Sequence, residues 1–314
     1  MRVLLHYDAG PALRRRLAES IGEGLQIDIC AEADQSLFEA LIAHCDVLWH
    51  VLKPIDAAVI ARAPRLALIQ KIGIGVNTID RDAARRRGIA VCNMPGTNSQ
   101  AVAEMTLALM LSALRRLPAY HAASRRGLGW RVTPDDQDKL GEIGGKTVGL
   151  IGAGMVPRLL APVLAALGAA VIYTSRQPKP EFPGLWRELP SLLADSDIVS
   201  LHVPLTDETA RMIDRAAIAR MKPGAVLINT ARGGLVDQPA LIEALKVGWL
   251  RGAGLDVFVE EPIPEDDPVL KLDNVIVTPH VAWLTAETWE RSLVVALENC
   301  RRLARGAVLL NRVA

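Results

Sequence analysis

Residues 146–176 read KTVGLIGAGMVPRLLAPVLAALGAAVIYTSR, which spells one strand, one turn, one helix and a second strand. Residues 148–151 are apolar, as suits a strand buried on both faces. Gly152-Ala153-Gly154 then turns the chain into an apolar helix, Gly168 ends that helix, and residues 170–173 return as the second strand. This is the length and order of a βαβ unit, the setting in which a glycine fingerprint carries meaning. Without Cβ atoms, Gly152 and Gly154 let a pyrophosphate reach the backbone N–H groups at the positive end of the helix, so the stretch predicts a dinucleotide site.

Two departures from the usual fingerprint stand out. Pro157 occupies the position of the third glycine, but a proline in the first helical turn gives up an N–H that has no partner there. Pro162 lies one turn further in and is expected to bend the helix or loosen its start. At the end of the second strand, where an acidic residue would take the adenine ribose hydroxyls, the chain has Ser175-Arg176.

The length of 314 residues suggests two domains, and a half-hydrophobic composition can bury a sizeable core. Lys plus Arg number 36 against 35 Asp plus Glu, so the net charge of +1 gives no electrostatic case for nucleic acid or a membrane surface. Four cysteines lie far apart without paired spacing, which suggests neither a disulfide framework nor a metal site. No signal-like start and no long apolar run is present, so a soluble cytoplasmic protein is expected.

Ahead of the fingerprint, residues 3–7, 26–30, 46–52, 66–71 and 89–92 read as strands, with helical spacing over 11–20, 36–43, 56–63 and 78–87. This alternation predicts a small parallel sheet covered by helices. Its sharpest punctuation is KIGIGVNTID, residues 71–80, where Gly73 and Gly75 expose successive N–H groups that suit a small carboxylate as well as a plain turn. Residues 101–117 read as a long apolar helix with Ser99 as its N-cap, a helix that calls for an interdomain or dimer contact as cover. Residues 127–145 look like a crossing loop. After the fingerprint, strands are expected at 198–202, 225–229, 253–257 and 275–278, helices at 214–221 and 239–246, and a final amphipathic helix at 285–305.

Ligands of open α/β sheets bind beyond the carboxyl ends of the strands. The segments found there supply Arg232, Asp256, Glu261 and His280. An arginine for a carboxylate, a histidine for a hydroxyl proton and an acid beside the histidine are what hydride exchange with a 2-hydroxy acid requires. Lys53 and Lys71 are cations near the glycine loop that read more readily as surface residues than as substrate ligands, and Trp283 reads as pocket wall or packing.

GIGVNTID, NMPGTNSQAVAE, VGLIGAGMV, NTARGGLVD, GLDVFVEEP and TPHVAW resemble, in order, segments of the D-isomer-specific 2-hydroxyacid dehydrogenases. The resemblance implies an α/β fold with two doubly wound parallel-sheet domains. A Rossmann-type cofactor domain over residues 97–281 would be inserted into a flavodoxin-like substrate domain made of residues 1–96 and 282–314, with the active site in a cleft at the hinge. His280 would be the general acid in reduction, Glu261 its hydrogen-bonded partner, and Arg232 the residue that binds the carboxylate and polarises the C2 carbonyl. Ile74, Gly75 and Val76 would give backbone donors to that carboxylate. Asp256 would fix the nicotinamide carboxamide, Val203, Thr230 and Ala231 would line its pocket, and Gly152, Gly154, Met155 and Val156 would take the phosphates. Asn77 departs from the aspartate common in the family. The expected substrate is a small 2-oxo acid such as glyoxylate or hydroxypyruvate, with oxidation of a phosphorylated hydroxy acid, or dinucleotide sensing without catalysis, as alternatives. Ser175 and Arg176 favour NADP over NAD, and the expected assembly is a homodimer.

Overall fold

The computed structural model describes residues 1–20, 24–130, 137 and 139–314, which form two compact units. The first comprises Met1–Asn98 and Leu284–Ala314, the second Ser99–Trp283.

Five segments of the first unit become β1 (Arg2–His6), β2 (Gln26–Cys30), β3 (Val47–His50), β4 (Leu68–Lys71) and β5 (Ala90–Cys92). All pair in parallel in the order β2-β1-β3-β4-β5, the flavodoxin-like order. Asp34, Asp56 and Asp80 cap the helices Gln35–Ile42, Ala57–Ala61 and Arg81–Arg86 by accepting from the N–H three residues on. Each such cap contributes about 1 kcal/mol. The Asp80 cap corrects the expected helix start near residue 78, because the carboxylate competes better for the first-turn N–H groups than Asn77 or Thr78. The helix Ala286–Ala304 belongs to this unit. Its Asn299 donates to Gln70 Oε1 at 2.6 Å and accepts from Leu310 N at 2.7 Å, so two buried amides satisfy one another's polar groups.

The carboxyl ends of this sheet carry a polar row where a parallel sheet is normally apolar. The register aligns Cys30, His6, His50 and Lys71 side by side. His6 is 2% exposed and stacks on Phe38 with centroids 4.1 Å apart. Burial, helped by the nearby Lys53 charge and opposed by Asp8, lowers its pKa to about 4. His50 is lowered in the same way by burial and by Lys71, and its ring contacts Lys53 O at 2.7 Å. Lys71 is buried and its ammonium donates to Val51 O, so it is no surface lysine.

The second unit contains β6 (Thr147–Ile151), β7 (Ala170–Thr174), β8 (Leu185–Trp186), β9 (Ile198–Leu201), β10 (Ala225–Asn229), β11 (Leu250–Leu255) and β12 (Val275–Val277). Their parallel order, β12-β11-β10-β9-β6-β7-β8, is the Rossmann order 3-2-1-4-5-6 with one strand added at the β12 edge. The two-residue β8 and the short helix Leu189–Asp195 were not expected from sequence, being too short to display a period. Ser99 is not a cap: it is the first residue of the helix Ser99–Arg115, and its buried hydroxyl has no partner among the described residues. That helix ends earlier than expected, because Arg116 adopts φ 49° and a second helix, Leu117–Arg125, follows with none of its residues buried. In the expected crossing loop over 127–145, residues 131–136 and 138 lie outside the described residues. Met155–Ala166 is one helix that continues through Pro162 and begins directly after Gly154, so its start is not loosened. Its buried face of Pro157, Leu160, Ala161 and Leu164 packs into the core with Val148, Leu150 and Tyr173, and this burial outweighs one lost backbone bond.

The polar row makes the fold sensitive to acid. An unfolded His6 titrates near 6.5 and the folded one near 4. Stability is therefore complete above about pH 6.5 and is lost as the unfolded chain alone takes up the proton, by up to about 3 kcal/mol at pH 4. Urea midpoints measured between pH 7 and pH 4 fall less steeply in His6→Leu than in the unmodified protein.

Candidate active site

The site in the second unit starts from one transverse row of the sheet. The register aligns Thr174, Ile151, Leu201, Asn229, Leu255 and Val277. Every residue of that unit expected from sequence to act follows this row within six positions. The fingerprint turn follows Ile151, Val203 follows Leu201, Thr230 to Arg232 follow Asn229, Asp256 and Glu261 follow Leu255, His280 follows Val277, and Ser175 and Arg176 follow Thr174.

His280 sits on a turn held from behind. Asp256 is fully buried, and its carboxylate accepts from Thr278 Oγ1 at 2.6 Å, Val281 N at 2.9 Å and Ala282 N at 2.9 Å. Burial pushes the Asp256 pKa up, while those three donors and the His280 charge act against it. The backbone of His280 donates to Asp256 O at 2.8 Å, and its carbonyl accepts from Trp283 Nε1 at 3.0 Å. These bonds hold His280 at φ 54°, a strained conformation for a residue with a Cβ. Asp256 thus holds the histidine turn, and any contact it makes with a carboxamide comes from a carboxylate already fixed by three donors.

The imidazole meets its expected partner: His280 Nδ1 and Glu261 Oε2 are 2.6 Å apart, with the side chains 19% and 34% exposed. The other Glu261 oxygen accepts from Phe258 N at 2.9 Å. Burial alone would raise the Glu261 pKa, but its bond to His280 and the His280, Phe258 and Arg232 interactions hold it below the usual carboxylate range. Burial pulls the Arg232 pKa down, and Glu261 opposes that shift. Arg232 Nη1 donates to Ala231 O at 2.6 Å. Asn229 braces this turn from both sides, donating to Arg232 O at 2.9 Å and accepting from Ala231 N at 3.0 Å.

Gly233 brings the arginine and the glutamate together. A Cβ built on it would lie 1.9 Å from Phe258 C and 2.1 Å from Phe258 O, so the backbone after β11 packs directly on the turn after β10. Sequence reading placed Gly233 inside a motif but gave it no role. Neither did it foresee Asn229, which bonds within its own turn, or Thr278, whose part rests on a contact with the segment after another strand.

The fingerprint turn fits a dinucleotide. Gly152 has φ 115°, and a Cβ there would meet His202 O at 2.5 Å and Val203 Cγ1 at 3.2 Å. Gly154 is extended at the N-cap without a side-chain cap bond, and a Cβ on it would meet nothing within 4 Å. Open space in front of uncapped first-turn N–H groups is what a phosphate needs. Met155 is exposed and Val156 partly buried at the helix start, Thr230 is buried with its hydroxyl 2.9 Å from that of Thr106, and Arg176 is exposed.

In the first unit, the expected carboxylate loop spends its carbonyls on the fold. Met94 N donates to Gly73 O at 2.8 Å, Asn93 Nδ2 to Ile74 O at 2.9 Å and Ile79 N to Val76 O at 3.1 Å. Among the described residues no acceptor takes the N–H groups of Ile74, Gly75 or Val76.

A family model described as D-isomer specific 2-hydroxyacid dehydrogenase, NAD binding domain, matches residues 107–282. The chain belongs to this family. A glyoxylate reductase of Korarchaeum cryptofilum is 40% identical over 87% of this chain and 83% of its own length. A D-3-phosphoglycerate dehydrogenase of Mycobacterium bovis is 38% identical over 91% of this chain but only 54% of its own. The solved structure of the TT0316 protein from Thermus thermophilus superposes with a TM-score of 0.90 and 38% identity, each chain covered in full. This family member is accordingly an oxidoreductase that interconverts 2-oxo and 2-hydroxy acids with a nicotinamide dinucleotide.

Replacement of Gly233 by alanine forces the Phe258 backbone away and shifts Arg232 relative to Glu261. A displacement near 1 Å costs about a hundredfold. Gly233→Ala therefore loses at least about a hundredfold in kcat/KM and also lowers the melting temperature, read by steady-state kinetics and calorimetry.

Proposed function

We propose that the protein reduces a small 2-oxo acid of the glyoxylate or hydroxypyruvate type to the D-2-hydroxy acid, with NADPH as the preferred cofactor. The observation that carries the chemistry is the 2.6 Å pair of His280 and Glu261 beside Arg232. When bound, the nicotinamide supplies the hydride. With Nδ1 committed to Glu261, His280 delivers its proton from Nε2 to the carbonyl oxygen, and the ionised Glu261 stabilises the imidazolium before transfer. Arg232 binds the carboxylate and polarises the C2 carbonyl. Ile74, Gly75 and Val76 provide backbone donors to the carboxylate. Gly152, Gly154, Met155 and Val156 hold the pyrophosphate, and Val203, Thr230, Ala231 and Asp256 border the nicotinamide. The cofactor-binding part spans residues 97–281, and residues 1–96 with 282–314 serve the substrate.

Similarity supports the reductive reading, because the glyoxylate reductase relative is matched over most of its length and the phosphoglycerate dehydrogenase over about half. For the cofactor, Ser175 leaves room for a 2′-phosphate and Arg176 offers a planar fork to it. Arg176 is exposed and makes no hydrogen bond or ion pair among the described residues. Glu181, the nearest acid downstream, is taken by Arg158 at 2.6 Å and so repels a phosphate less.

No described helix is long and apolar enough to cross a membrane, and we place the protein in the cytoplasm. We also propose a homodimer. Leu117, in a helix that buries none of its residues, and Leu128 and Trp130 just after that helix are 51%, 44% and 96% exposed, and such an apolar surface calls for cover.

A panel of short 2-oxo acids and phosphorylated hydroxy acids tests the reaction, and turnover of glyoxylate or hydroxypyruvate is the expected result. Turnover confined to phosphorylated acids would favour the oxidative alternative, and cofactor binding without any turnover the sensing one. His280→Ala loses about 10²- to 10⁴-fold in kcat while cofactor affinity is kept. Arg232→Ala raises KM as well as lowering kcat, since its charge meets the substrate in ground and transition states alike. Catalytic efficiency is higher with NADPH than with NADH, and Arg176→Ala narrows the gap by about tenfold. Sedimentation at micromolar concentration gives a dimer.

A further inference from the structure

The segment after β7 is a folded hook. Tyr173 is 2% exposed, and its hydroxyl accepts from Lys179 N at 2.6 Å and donates to Lys179 O at 2.9 Å. Its ring lies 4.2 Å from that of Phe182, whose N–H also bonds Lys179 O at 2.9 Å. Ser175 Oγ donates to Gln177 O at 2.6 Å, and Trp186 Nε1 to Ser175 O at 3.3 Å. A buried aromatic core therefore fixes where the backbone of Lys179 stands.

From that position the Lys179 ammonium reaches back 3.2 Å to the carbonyl of Ala153, the middle residue of the Gly152-Ala153-Gly154 turn. The bond links the hook to the phosphate turn within the same unit. An ammonium has three donors, and only one is used among the described residues. The one acid of the hook, Glu181, is spent on Arg158. The hook thus offers two cations, Arg176 and Lys179, at the end of the strand where the adenine ribose of a dinucleotide lies.

We infer that Lys179 is a second specificity-determining residue of the cofactor site, a point charge that binds the 2′-phosphate of NADPH while its tether to Ala153 keeps it beside the phosphate turn. The inference rests on the NADPH reading given above. Arg176 contributes a directional fork. Lys179 contributes a charge whose position Tyr173 sets, and an ammonium tolerates a range of phosphate directions. A lysine that served only to pin the turn would matter equally to both cofactors, because NADH and NADPH share the pyrophosphate.

Titration of the whole protein with NADPH and NADH by cofactor fluorescence, and with 2′,5′-ADP and 5′-AMP by calorimetry, separates these roles without turnover. In Lys179→Ala the affinity for NADPH and 2′,5′-ADP falls about tenfold, less at high salt because the side chain is exposed, while NADH and 5′-AMP bind as before. Lys179→Arg keeps most of the preference. Equal weakening of both cofactors, or a preference that survives intact in Lys179→Ala, overturns the role of Lys179 alone. Equal affinity of the unmodified protein for both cofactors overturns the NADPH reading and this inference with it.

Discussion

The chemistry of the second unit depends on sheet register. Six parallel strands place Thr174, Ile151, Leu201, Asn229, Leu255 and Val277 in one row, and the polypeptide then leaves the sheet six times in the same direction. Since the strands point the same way, their loops crowd one edge, and groups on loops distant in sequence, such as Gly152 and His202 or Glu261 and His280, become neighbours. A slip of one residue would turn the side chains of a whole strand to the opposite face, so the apolar cores on both sides of the sheet enforce the register that the site requires.

Register brings loops together, but contacts at van der Waals range set them. Gly233 admits the Phe258 backbone where any Cβ would stand, which ties the loop carrying Arg232 to the loop carrying Glu261. Asp256 does the corresponding work for His280. A carboxylate at 0% exposure is costly unless paired, and here its three donors all come from Thr278, Val281 and Ala282. The energy recovered by pairing this buried charge is what holds His280 at a positive φ, a conformation its own backbone disfavours by about 1–3 kcal/mol. Strain is concentrated on the residue proposed to face the substrate, and the compensation lies just beneath it.

This separation explains what the sequence could reveal. Strands buried on both faces announce themselves as apolar runs, and 225–229 was legible to the residue, as was the alternating strand 26–30. The pairing of Glu261 with His280 was legible too, because few residue types can partner an imidazole in this way. Gly233, Asn229 and Thr278 were not, since a glycine in a glycine pair and a threonine before a proline are ordinary until the opposing backbone is known. At Pro162 propensity counts the lost hydrogen bond, whereas the helix continues because of the buried face around it. Ser99 misled because a serine before an apolar run suits a cap, yet it lies within the helix as its first residue.

Histidine shows most directly how surroundings decide a role that sequence leaves open. His6 and His50 share a buried row, have cations near them and no carboxylate bonded to either ring, and are kept neutral by burial. His202 is committed to Ser200, with Nε2 at 2.9 Å from the hydroxyl oxygen. His280 differs in each respect. Its side chain is 19% exposed, a carboxylate holds Nδ1 at 2.6 Å, and its backbone is fixed by a second acid through the turn that it occupies. At His6 and His50 burial outweighs the groups that favour the charged form, Asp8 for the one and the Lys53 carbonyl for the other. At position 280 one open nitrogen is backed by a fixed anion, and that combination, rather than the presence of histidine itself, makes it fit to move a proton.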